Sequence, residues 1–145
     1  MDYRAFEGGC FCGAVRYRFT GVFDAGYCHC SICRRTTGAP AIAWVNTLRR
    51  DFAWLAREPK RMHSSERFQR LFCDACGTIM LTRAIDPDRW KYVSVHHGTI
   101  DDAASIHPKI HICWDDRLPW FEIDDDLPRV ADNTLPHPDR RANAA

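Results

Sequence analysis

The chain has 145 residues, enough for one domain and too few to expect two. With 46% hydrophobic and 12% aromatic residues it can build a core, which excludes global disorder. The 20 Lys+Arg against 19 Asp+Glu leave +1, a balance that disfavours both a basic nucleic-acid binder and a polyacidic protein.

In chain order, Ala14–Phe19 alternates: Val15, Tyr17 and Phe19 face one way and Arg16 and Arg18 the other, which predicts a half-buried strand. Ser31–Thr37, ahead of Gly38, predicts a short helix with Ser31 near its cap. Ile42–Val45 and Phe52–Leu55 predict short strands. Arg67–Cys73 predicts another, with Phe68 and Phe72 on one side, and Thr78–Leu81 is its return arm across the Cys73–Cys76 turn. Tyr92–Val95 and Lys109–Trp114 predict two more strands, the second with Ile110, Ile112 and Trp114 on a shared face. Asp101–Ser105 predicts one helical turn before Pro108. Many short strands separated by turn residues indicate a mostly-β single domain. Pro136–Ala145 is polar, proline-containing and basic at Arg140 and Arg141. The expected division is a domain over 1–130 and a frayed tail over 131–145. No run approaches a membrane-spanning length, and Met1–Gly9 holds no apolar segment of the kind an export signal needs. The expected setting is the reducing cytoplasm, with no membrane.

Eight cysteines are what this composition has to explain: Cys10, Cys12, Cys28, Cys30, Cys33, Cys73, Cys76 and Cys113. Disulfides do not persist in a reducing compartment. Pairs separated by one or two residues are poor disulfide frameworks and good chelating clips. Sulfur-rich tetrahedral sites select Zn²⁺ or iron–sulfur clusters, and these spacings do not match the usual ferredoxin runs, which favours zinc.

The sulfurs divide unevenly. Cys10 and Cys12, just before a strand, pair with Cys73 and Cys76, a knuckle at a hairpin turn followed by Gly77, to close a four-thiolate structural site. Cys28, Cys30 and Cys33 place three thiolates in six residues and leave a fourth position for water, substrate or histidine, as in catalytic zinc. Spacing leaves open another division, in which Cys73 and Cys76 join part of the second group. Cys113 reads as a small buried hydrophobe or, more sharply, as a fourth ligand or reactive thiol. His29, between two ligands, points away from the ion. His96 and His97 line a cleft or the surface. His111 opposes the apolar face of its strand and either reaches the open site or is solvated. Arg34 and Arg35 adjoin the open clip, and Arg67 and Arg70 precede Cys73. Each is either a cation for a carboxylate ligand or a solvated surface charge.

Three stretches carry a resemblance. Gly9-Cys10-Phe11-Cys12-Gly13-Ala14-Val15-Arg16-Tyr17, Cys28-His29-Cys30-Ser31-Ile32-Cys33-Arg34 and Phe72-Cys73-Asp74-Ala75-Cys76-Gly77-Thr78 resemble the signatures of the glutathione-dependent formaldehyde-activating enzyme family, whose domain also occurs in centromere protein V. Gly98–Asp102, Pro108–His111 and Leu118–Trp120 resemble its carboxy-terminal half, so the match runs from Gly8 to Pro128 with seven cysteines in register. The resemblance implies a β-tent of antiparallel sheets holding two zinc ions. Cys10, Cys12, Cys73 and Cys76 would bind the structural ion, and Cys28, Cys30 and Cys33 the catalytic one. It implies a carbon–sulfur lyase, S-hydroxymethylglutathione synthase-like, that joins glutathione and formaldehyde. Arg34 and Arg35 are then the expected glutathione-binding residues. The chain departs from the family pattern at Cys113, where a hydrophobic or aromatic residue is expected, and at Ala41, where an aromatic after Pro40 is common. Two competing readings are a non-catalytic zinc module binding a thiol metabolite or a protein, and a sensor whose three-cysteine clip loses zinc on oxidation. Nucleic acid is not an expected partner.

Overall fold

Alternation sets the first sheet. In the computed structural model, which describes residues 2–133, strand β2 (Arg16–Val22) buries Tyr17 and Phe19 and exposes Arg18 and Thr20. It pairs antiparallel with β1 (Asp2–Gly9) and with β5 (Phe52–Trp54) to make a three-stranded sheet in the order β1-β2-β5. The expected tail at Pro136–Ala145 lies outside the described residues.

The second sheet has seven strands, β10-β3-β4-β9-β8-β7-β6. Its members are β3 (Asp24–Cys28), β4 (Ile42–Leu48), β6 (Lys60–His63), β7 (Phe68–Phe72), β8 (Ile79–Ala84), β9 (Tyr92–His96) and β10 (His111–Ile112). All pairings are antiparallel except β10 with β3. One α-helix, α1 (Ser31–Thr37), and a few 3₁₀ turns complete the described residues, so the fold is mostly β, as the residue pattern and the family resemblance both implied. No helix among the described residues is long and apolar enough to cross a membrane.

The two sheets enclose the main core: Phe6, Tyr17 and Phe19 from the small sheet against Val45, Leu71, Leu81, Val93 and Val95 from the large one. Tyr17 ties the small sheet to the 3₁₀ turn that follows β9, its hydroxyl 2.7 Å from Thr99 Oγ1. Strands β4 and β9 are covered on both faces, and the second face carries buried polar residues such as Asn46 and His96.

The helix bounds agree with the sequence reading, and Gly38 closes the helix at φ 75, but the capping residue is Cys30, whose Sγ accepts from Cys33 N–H. Three strands were not legible. Strand β1 buries only Phe6 and Gly8, β6 is Lys-Arg-Met-His at the sheet edge, and β3 is interrupted by Gly26. The strand expected over Lys109–Trp114 is corrected to His111–Ile112. Cys113 adopts φ 54 and turns the chain into a 3₁₀ turn over Trp114–Asp116. Ile110 and Ile112 therefore pack together beside Cys28, Cys33 and Trp44, while Trp114 turns away to His29 and His111.

Gly26 is where β3 meets the segment before β10. A Cβ there would lie 2.6 Å from the Ile110 carbonyl oxygen and 2.8 Å from both Ile110 Cγ2 and Trp44 Cζ2. Gly26→Ala is expected to destabilise the fold by about 1–3 kcal/mol, the usual cost of overpacking, read as a lower urea midpoint at unchanged slope.

Candidate metal centre

Two groups of thiols assemble, the first from turns far apart in sequence and the second from one local segment. Cys10 and Cys12 sit in the turn between β1 and β2, and Cys73 and Cys76 in the turn between β7 and β8. Their four sulfurs lie within 4.8 Å of one another, with Cys10–Cys12 at 3.6 Å and Cys12–Cys73 at 3.8 Å. Both turns have one design. Cys10 N–H donates to Val15 O and Gly13 N–H to Cys10 O; Cys73 N–H donates to Thr78 O and Gly77 N–H to Cys73 O. Each needs its last residue left-handed, and glycine supplies it: φ 80 at Gly13 and 79 at Gly77. The hydrogen bond from the Thr78 hydroxyl, with that from its backbone N–H, brings the Cys76 thiol down to about 5. This geometry selects the first of the two divisions of sulfur that spacing left open.

The second group belongs to the large sheet. Cys28 ends β3, Cys30 caps α1 and Cys33 lies in its first turn; their sulfurs also fall within 4.8 Å of one another, with Cys28–Cys33 at 3.5 Å. In a tetrahedral zinc–thiolate site, Zn–S bonds of about 2.3 Å set neighbouring sulfurs about 3.8 Å apart, so both groups fit a tetrahedral metal. Cys28 and Cys33 are buried, whereas Cys30 is half-buried. Thiol neighbours Cys113, Cys28 and Cys33 favour the ionised form of Cys30, and the same cluster pushes Cys28 up.

Around this group lie buried and half-buried polar side chains, of which Thr82 and Trp44 carry no functional signal in the sequence. Arg70, far from being a solvated surface charge, is 4% exposed and donates from Nη2 to Cys33 Sγ at 3.4 Å and from Nη1 to Thr82 Oγ1 at 3.1 Å. Thr82 also meets His96 Nε2 at 3.3 Å. The Nε of Arg70, the Nε of Arg34 and the indole Nε1 of Trp44 are buried without a partner. Arg34 is half-buried on α1, Arg35 is exposed one residue on, and Arg67 is exposed ahead of β7.

His111 neither reaches the thiols nor is solvated. It is fully buried, its Nδ1 2.9 Å from His29 Nε2 and its Nε2 3.0 Å from the Asp125 carboxylate. The carboxylate only accepts, so His111 Nε2 carries a proton, its Nδ1 accepts, and His29 Nε2 donates. This chain turns His29 away from the sulfurs. Because β10 is parallel to β3, it sets His111 beside Tyr27 and Ile112 beside Cys28, a pairing that chain order could not show. Burial lowers His96 to about 3 and is the largest cause that lowers His29 to about 4. Their imidazole C–H resonances are expected to stay flat between pH 8 and 5 in an NMR titration; movement near the ordinary histidine value of about 6.5 would show that burial does not hold them neutral.

Residues 5–116 match the family described as glutathione-dependent formaldehyde-activating enzyme. A protein of Halomonas elongata, named "Putative glutathione-dependent formaldehyde-activating enzyme", is 30% identical over 131 residues, covering 81% of this chain and 80% of that one. A Rhodobacter sphaeroides protein of known crystal structure is similar in fold, with a TM-score of 0.52 at 21% identity, over 85% of this chain and 98% of the other. By the match over most of its length and the relative it resembles, the chain belongs to the glutathione-dependent formaldehyde-activating enzyme family.

Proposed function

We propose that this protein is a zinc-dependent carbon–sulfur lyase-type enzyme acting on glutathione and its aldehyde adducts, S-hydroxymethylglutathione synthase-like. The observation that carries this reading is the second thiol group: three sulfurs within 4.8 Å, with the half-buried Cys30 marking the side open to solvent. Cys10, Cys12, Cys73 and Cys76 would hold a structural zinc; Cys28, Cys30 and Cys33 would hold one with a vacancy. Zinc bound there supplies one thing, the stabilisation of a substrate sulfur as thiolate at neutral pH. The balanced reaction adds the thiol across the aldehyde: the C–S bond forms, the carbonyl π bond breaks, and the thiol proton ends on the new hydroxyl oxygen.

The chain's own residues shape the rest. Arg70, held by Thr82, presents fixed positive charge to Cys33 and offsets the negative charge of the thiolates. Arg34 carries a buried, unpartnered Nε on α1, and with Arg35 it is the candidate for the two carboxylates of glutathione. Trp44 adds an unpartnered indole N–H from β4.

The direct test mixes zinc-loaded protein with glutathione and formaldehyde and follows the S–CH₂–OH signal by exchange NMR. Adduct formation should exceed both the spontaneous rate and that of zinc-stripped protein; no acceleration would remove the catalytic claim. Arg34→Ala should weaken glutathione binding by about tenfold, one charge-assisted hydrogen bond, in a calorimetric titration; unchanged affinity counts against the carboxylate role. Metal counting separates the two centres. Replacing Cys30 and Cys33 together by Ser should cut zinc from two ions to one with the circular-dichroism spectrum kept, whereas Cys73→Ser should lose the same ion count together with the cooperative unfolding transition.

A further inference from the structure

We propose that Cys113 is a fourth sulfur ligand of the Cys28–Cys30–Cys33 centre, held loosely enough for an incoming thiol to take its place. The proposal rests on the reading of that centre as a zinc site that takes up a substrate sulfur as thiolate.

Cys113 follows β10, and the parallel pairing of β10 with β3 brings it to Cys28, 85 residues away in sequence, with the sulfurs 4.0 Å apart. That distance is close to the tetrahedral edge and to the 3.8 Å between Cys12 and Cys73 in the first group. The Cys113 backbone is fixed by the N–H bond to Asp132 O at 3.0 Å, at the sole non-glycine positive φ among the described residues. Continuing the strand instead would swing the thiol to the other side.

An independent observation concerns charge. Arg70 is a buried guanidinium whose hydrogen-bond partners are the Thr82 hydroxyl and Cys33 Sγ, neither of them a carboxylate, and its Nε has none. A cation so placed needs an anion, and the thiol group is the anion it faces. Three thiolates on a divalent ion leave −1; a fourth makes −2, and Arg70 returns the whole to −1.

The geometry also indicates which ligand leaves. Cys28, Cys30 and Cys33 form the mutual 4.8 Å set, and Cys113 stands outside it, reaching Cys28 from one side. Cys28 and Cys33 are buried, while Cys30 and Cys113 are half-buried, so solvent meets the centre on the side that these two share. When a substrate thiol takes this position, one metal–sulfur bond replaces another, and the substrate's proton passes to the Cys113 thiolate. Net charge is unchanged, and no oxidant or reductant is required.

The test uses the intact zinc-loaded protein, treated with iodoacetamide and mapped by mass spectrometry. Cys113 should be alkylated more slowly than in metal-free protein. Alkylation at the metal-free rate would overturn the proposal. Cobalt loading gives a second readout: with eight cysteines bound in the native protein and seven in Cys113→Ser, the sulfur-to-cobalt charge-transfer band should fall by about one eighth. An unchanged band would also overturn the assignment. Glutathione, but not S-methylglutathione, should then restore Cys113 alkylation. If cobalt and alkylation both assign Cys113 as a ligand but glutathione fails to release it, the ligand stands and glutathione exchange is what fails.

Discussion

Four sulfurs from two tight turns meet where the small sheet joins the large one, and the position of everything else follows from that junction. The turn between β1 and β2 carries Cys10 and Cys12, and the hairpin between β7 and β8 carries Cys73 and Cys76. Cys12 and Cys73 are 61 residues apart, and closing a loop of that length costs about 3–4 kcal/mol of chain entropy. A chelated metal would offset that cost, and the core between the sheets adds to it: Phe6, Tyr17 and Phe19 lie on the side that the junction turns toward Leu71 and Leu81. Further along the same seam, Asp101 N–H donates to Glu7 O and Arg16 pairs with Asp101.

The second thiol group depends on this frame without being part of it. Its three near sulfurs come from one strand end and the start of one short helix, so the local chain sets their spacing. What the frame supplies is the surroundings. Strand β7, anchored by the first group, carries Arg70 to Cys33, and β8 carries Thr82 to Arg70. The two groups are thus linked through a single strand: Cys73 follows its last residue and Arg70 lies in its middle.

Buried polar side chains form the other half of the site's environment. In a low-dielectric interior each would be costly alone, and pairing makes them tolerable. Asp125 fixes His111, which fixes His29, and Arg117 and Arg129 stack on Trp114 beside them. The residue between the two cysteines of the clip is thereby held on the side opposite the sulfurs. A single orientation of Cys28 and Cys30 follows, because adjacent side chains in an extended segment point to opposite sides.

Composition, spacing and alternation determined a great deal. Cysteine pairs at one- and two-residue spacing announced metal clips, because chelation from a short segment is a local property. Alternation at Tyr17 and Phe19 marked a half-buried strand, and Ser31–Thr37 ahead of Gly38 marked the helix, because these signals repeat within a few residues. Strands β1, β3 and β6 left no such signal, because β1 buries only Phe6 and Gly8, Gly26 interrupts β3 and β6 is a largely exposed edge strand. The tertiary structure alone decided which thiol pairs combine, that Arg70 is buried against Cys33, that His111 is sealed between His29 and Asp125, and that Cys113 stands 4.0 Å from Cys28. Each of these depends on strand order and register across the sheets, above all the parallel placement of β10 beside β3, and pairing between distant segments leaves no periodic trace in the chain.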